Sequence, residues 1–246
     1  MNQVSRYPEI DMVRGVAILM MILFHTLFDL NYFHILSLEI YTGFWHYFAF
    51  ATASLFLLVV GISLGISRAR AKPGLSGHRL VLKFVYRGAG IFLLGLLVTL
   101  GTWLYLREGF IVFGILHLIG VSIMISPLFF RFKKGNIALG ILFILTGYVF
   151  SLISGPVWLL PLGIHPPDFL SVDYEPLFPW TGMVLIGIGA GGYLYPEGMR
   201  RFTLPKIPRF FILPLAFLGR HSLLIYLVHQ PIIILLLAAV SGITIL

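Results

Sequence analysis

IDMVRGVAILMMILFHTLFDLNYF, residues 10–33, is the stretch whose reading decides the fold. It is long and apolar enough for a bilayer-spanning helix, which needs about 20 such residues. Four polar side chains interrupt it: Asp11, Arg14, His25 and Asp29. At about 100° per residue, the steps from Arg14 to His25 pass three full turns by only ~20°, so the two share a face roughly 16 Å apart along the axis. Asp11 precedes Arg14 by three residues and Asp29 follows His25 by four, spacings at which helical side chains meet. Ile18, Met21 and Ile22, between them on the stripe, are bulky and apolar. One face therefore carries a charged pair near one membrane surface and a His–Asp pair deeper in. Ionisable groups within a spanning helix are costly and face a protein interior or a wet cavity. The stripe reads either as glue between helices or as a reaction centre.

Composition sets the class around this helix. The chain is 59% hydrophobic and 11% charged, with a mean hydropathy of +1.00, which excludes a soluble domain of this size. The expected fold is all-α, a polytopic integral membrane bundle forming one domain over residues 1–246 in the cell membrane. The absence of cysteine removes disulfides, thiolate chemistry and zinc–thiolate sites, and no metal is expected. The formal charge of +8 sits in short loops between apolar runs, a distribution that argues for membrane lipid and against nucleic acid. The first run is too long for a signal h-region and contains Arg14 and Asp29, so it is expected to remain as the first span.

Seven spans are expected, over residues 10–33, 43–67, 83–105, 110–130, 136–155, 177–195 and 215–243, the last with a lead-in from Arg209 to Phe217 broken at Pro214. Arg68, Arg70, Lys72, Arg79 and Lys83 lie between spans two and three. Arg131, Lys133 and Lys134 follow span four, and Arg200, Arg201, Lys206 and Arg209 follow span six. The alternate loops hold only Arg107, so the positive-inside rule predicts a cytoplasmic N-terminus and an outer C-terminus. The loop Gly155–Pro176 holds His165, Asp168, Asp173, Glu175 and Trp158, with no Lys or Arg. It reads as a solvated turn or, on the outer face, as a cover for a substrate.

The candidate chemistry begins at His25. Asp29, one turn further on, is placed to accept a hydrogen bond from one imidazole nitrogen and leave the other as a base. No Ser or Cys nucleophile stands beside it, so direct transfer assisted by a general base is the simplest scheme, with an acyl-histidine intermediate as the other route. His34 and His46 lie at the outer interface, where amphipathic rings commonly anchor a chain. Lys83 and Arg87, four apart at the inner end of span three, form with Arg14 a basic mouth that either meets lipid headgroups or captures phosphates. His117 is a polar residue within span four, either a packing hydrogen bonder or a pocket wall. Gly182, Gly187, Gly189 and Gly191 lie too deep in an apolar helix for a phosphate loop, and close helix packing explains them better. In the last span Ser222, Tyr226 and His229 form one polar stripe.

Several of these strings resemble one family. Asp11-Met-Val-Arg14-Gly15, ten further residues and then His25 is similar to the Arg-x10-His signature of the type-3 membrane acyltransferases. Glu9 to Phe33 as a whole looks more like the bacterial and archaeal relatives of heparan-α-glucosaminide N-acetyltransferase. Phe113-Gly-Ile-Leu-His117-Leu-Ile-Gly120, Asp173-Tyr-Glu-Pro176-Leu-Phe-Pro179-Trp180 and Ser222-Leu-Leu-Ile-Tyr226-Leu-Val-His229 resemble further segments of it. In human-type members the catalytic histidine lies a little downstream of the first span, and the position matched by His25 is typically Asn. The catalytic candidates are therefore His25 with Asp29, then His34, then His46. The resemblance implies an acyl-CoA donor, most simply acetyl-CoA, held by Arg14, Lys83, Arg87, His117, Ser222 and His229. The chain is shorter than the ten- or eleven-span members, so a site is either reduced or completed by a second subunit in a homodimer.

The expected function is transfer of an acyl group, most simply acetyl, from cytoplasmic acyl-CoA to an amine or hydroxyl of a glycan or lipid-linked sugar at the outer side. The alternative is a proton-coupled transporter or channel using Asp11, Arg14, His25 and Asp29 as a relay. Against it stands the absence of an inverted repeat.

Overall fold

The computed structural model describes residues 6–71, 73–75, 77–204 and 208–241; Lys72, Lys206 and the last two positions of the expected seventh span lie outside them. Among the described residues eight α-helices follow one another: α1 Pro8–Tyr32, α2 Gly43–Ala71, α3 Gly77–Leu106, α4 Ile115–Phe129, α5 Asn136–Phe150, α6 Leu177–Leu194, α7 Arg209–Arg220 and α8 Ser222–Ser241. No strand occurs among the described residues, and the fold is all-α as expected. The chain forms two compact units, one within Met1–Phe56 and Leu204–Leu246, the other within Leu57–Thr203.

In the first unit, α1 starts with Pro8, whose fixed φ and missing N–H suit the first turn, and Glu9 and Asp11 complement the positive helix end. It then runs 25 residues without a break, burying Asp11, Gly15, Ala17, Ile18, Met21 and Asp29. Its partners are α7 and α8. A Cβ on Gly15 would strike the Leu215 carbonyl, and one on Gly219 the Asp11 carbonyl. Rising numbers on α1 thus meet falling numbers on α7, and the two helices are antiparallel. The expected single span over 215–243 is corrected here. The helix break falls at His221, not Pro214, and Leu215–Arg220 belong to α7. The cause is tertiary: Gly219 lets α7 close against α1, and Arg220 reaches toward Asp11, its Nε 3.9 Å from the carboxylate.

In the second unit, α3 packs on α4 through Gly88 and Gly120, and α5 on α6 through Gly140 and Gly182. Gly61 and Gly187 bring α2 and α6 equally close. The expectation that the glycines of span six serve close packing is met. Among the described residues six helical stretches are long and apolar enough to cross a membrane, where seven spans are expected. The difference lies at Ile115–Phe150, which counts as one 36-residue stretch. Within it α4 and α5 are 15 residues each, about 22 Å at ~1.5 Å per residue, and a 3₁₀ turn over Phe130–Gly135 joins them. Lys133 in that turn has φ 49°, which interrupts the helix.

Candidate active site

The deepest polar group of the first unit is assembled by α1 and α8. His25 projects from α1 one turn before Asp29, as the spacing predicts, yet the two are not hydrogen-bonded to each other. His25 Nδ1 lies 2.9 Å from Nε2 of His229, with ring centroids 4.9 Å apart. The Gln230 amide donates to both Asp29 carboxylate oxygens, at 2.7 and 2.9 Å. The expected His25–Asp29 pair is corrected: each finds its partner on α8 instead. An i, i+4 spacing permits a contact, but two consecutive polar residues on a facing helix offer better-aimed partners. His229 and Asp29 are buried and His25 is half-buried. His25 Nε2 has no hydrogen-bond partner among the described residues.

Three turns nearer the N-terminus, Arg14 donates to Asp11 at 2.9 Å. Arg220, with Asp11, is a residue the sequence reasoning passed over. Two guanidiniums therefore flank one buried carboxylate, with Glu9 as a second acidic residue in the same first turn of α1.

His34 and His46 also belong to the first unit, and both are exposed. His34 has φ 59° just beyond the end of α1, and His46 stacks edgewise on Tyr47 near the start of α2. Neither joins the His25–His229 group through a hydrogen bond. Ser222 opens α8, two turns before His229 and Gln230. Gln230 was missed, although it is the last strongly polar side chain before a purely apolar run, Pro231–Val240. That isolation was the available signal.

Lys83, Arg87 and His117 lie in the second unit. Lys83 and Arg87 are both exposed, and Lys83 rests its ammonium 5.8 Å from the Phe84 ring centre. His117 is 2% exposed, and both ring nitrogens are engaged. Its Nδ1 accepts from the Gly114 N–H at 3.3 Å, capping α4, and Nε2 is 3.4 Å from the Thr99 hydroxyl. Phe92 and Phe113 pack on the same ring. His117 thus acts as a packing hydrogen bonder.

The long loop before α6 is pinned rather than loose. Val157–Leu162 forms a 3₁₀ turn, Tyr174 donates to the Leu160 carbonyl at 2.7 Å, and the Asp173 carboxylate accepts from the Ile115 N–H at the start of α4. Burial pushes the Tyr174 hydroxyl up to about 12. Burial, with the Asp173 carboxylate beside it, raises the Glu175 carboxyl well above the usual range, and Glu175 Oε2 is buried without a partner.

The fold defines a multi-pass helical membrane protein with a histidine pair held between two of its helices. Residues 6–231 match the family model of the heparan-α-glucosaminide N-acetyltransferase catalytic region, and the chain belongs to that family. It is accordingly an acetyltransferase-type membrane protein. The match takes in α1 and extends along α8 through His229 and Gln230. Neither a curated protein nor a solved structure matches the chain.

Proposed function

We propose that this protein transfers an acyl group, most simply acetyl, from cytoplasmic acyl-CoA to an amine or hydroxyl of a glycan or lipid-linked sugar at the outer side of the membrane. The observation that carries this reading is His25 in a match to an acetyltransferase catalytic region, with one ring nitrogen held by His229 and the other unpartnered. Such an imidazole is oriented and still has a lone pair to act as a general base.

His25 Nε2 removes the proton from the acceptor N–H or O–H as that nitrogen or oxygen attacks the thioester carbonyl. The C–S bond breaks, and the thiolate leaving group takes the proton back from the imidazolium to become the free thiol. Arg14, near the N-terminal end of α1, supports capture of the donor's phosphates, since a guanidinium matches phosphate oxygens. Lys83 and Arg87 are, by themselves, further candidates for a phosphate contact. The ~16 Å of helix from Arg14 to His25 suits an extended pantetheine arm. The Lys/Arg distribution supports a cytoplasmic position for the Arg14 end.

The test is release of free thiol from acetyl-CoA by the purified protein in detergent, with a panel of amino sugars and polyprenyl-linked glycans as acceptors. Acceptor-dependent thiol release with an acetylated product is expected. No release with any acceptor, from protein that is folded, overturns the reading.

A further inference from the structure

The hydrogen bonds around His229 have only one consistent direction when both rings are neutral. His229 Nδ1 lies 2.6 Å from the Tyr226 carbonyl oxygen, which can only accept, so Nδ1 carries the hydrogen. Neutral imidazole has one N–H, and Nε2 of His229 is therefore a lone pair. His25 Nδ1, 2.9 Å away, must then be the donor, which leaves the lone pair of His25 on Nε2. A backbone carbonyl on α8 thus dictates, through two rings, which nitrogen of a histidine on α1 is basic.

We infer that His229 is the positioning residue for His25, in the place where a carboxylate stands in a Ser-His-Asp triad. This rests on the reading of His25 as the base. Asp29 does not fill the role here, because it is held by the Gln230 amide and makes no hydrogen bond to His25, whose Nδ1 meets His229 instead. When His25 Nε2 gains the acceptor's proton, the Nδ1 proton can shift to His229 Nε2. The charge then rests on His229, whose Nδ1–H still points at the Tyr226 carbonyl. One proton enters, one moves along, and none is lost. A neutral imidazole partner also avoids placing a full negative charge beside the base at membrane depth, where ionised groups are costly.

The experiment reads the tautomer and the rate together. Full-length protein in lipid nanodiscs, with ring-¹⁵N histidine and the His25 signals assigned by loss in His25→Ala, is expected to show neutral His25 protonated on Nδ1. His229→Leu removes the acceptor, so His25 should revert to the Nε2–H form that free histidine mostly takes, with turnover falling by roughly tenfold or more. His229→Gln, which brings an amide oxygen near the lost Nε2, should keep the Nδ1–H form and most of the rate. Wild-type His25 protonated on Nε2 overturns the inference, as does unchanged turnover in folded His229→Leu. If His25→Ala loses turnover and His229→Leu does not, the inference fails while the base assignment stands. If His25→Ala keeps its turnover, the base assignment fails, and the tautomer measurement alone decides whether His229 orients His25.

Discussion

The two units hold their helices together by different means. In the second unit the α3–α4, α5–α6 and α2–α6 seams are backbone against backbone, with glycine on both sides of each contact. Its polar contribution inside the bundle is modest: a hydroxyl pair, Ser122 with Thr181, and His117, which caps its own helix and meets Thr99 of α3. In the first unit α1 also uses glycine contacts, but across its seams with α7 and α8 lie Asp11–Arg220, Asp29–Gln230 and His25–His229. Small residues suffice to associate helices in a membrane. Where packing alone would do and ionisable groups are present regardless, their cost points to chemistry. Substitutions in the His25–His229 group of the first unit should alter rate, and those on the glycine seams of the second should alter stability.

The sharpest break in that comparison is His25→Ala, expected to lower turnover by a factor on the order of 10²–10⁴ while folded yield holds. A variant that folds poorly but keeps its specific activity would move His25 to the structural side. Its counterpart is Gly140→Val on the α5–α6 seam. A Cβ there already meets the Gly182 carbonyl, so overpacking should cost about 1–3 kcal/mol in thermal or denaturant unfolding, with activity per folded molecule retained. Next come Arg14→Ala and Arg87→Ala, which should raise the half-saturating acyl-CoA concentration by about tenfold, the worth of one charge-assisted hydrogen bond. Unchanged acyl-CoA titrations in both would leave these cations to lipid headgroups.

Asp29→Asn should be milder, with turnover falling less than about tenfold, because this carboxylate makes no hydrogen bond to His25. A loss matching that of His25→Ala would restore Asp29 as its partner. The smallest effect is expected at Glu175. The fold raises its carboxyl above the ordinary value of 4.5, so its stabilising contribution is full below that pH and is lost as pH rises through the raised value. Glu175→Gln has no proton to lose, and its melting temperature should fall less than wild type as pH is raised from about 4.5 upward. Parallel curves would mean that Glu175 titrates normally.

Legibility in the sequence followed the range of the interaction. The α1 stripe could be read directly, because one helix with its 3.6-residue period places Asp11, Arg14, His25 and Asp29 without reference to anything else. The packing role of the α6 glycines could be read from depth and apolar context alone. What could not be read was choice among partners. His25 and Asp29 were within reach of one another, and only the register of α8 decides that His229 and Gln230 take them instead. The break at His221 was hidden for the same reason. Hydropathy runs on past it and Pro214 is the stronger local breaker, but the α1–α7 contact lies more than 190 residues away in the chain. Arg220 was lost with that break.

That α1 is one unbroken helix ties the spacing of its two polar groups to what insertions and deletions the chain can tolerate. Adding one residue between Arg14 and His25 would rotate every later side chain by about 100° and lift His25 out of line with His229, while Asp11 kept both its arginines. Adding seven would nearly restore the phase but lengthen the interval by about 10 Å. Substitutions along the lipid-facing side of α1 are cheap by comparison. The helix is a ruler as well as a support, and a family built on it is free to change its letters more readily than its length.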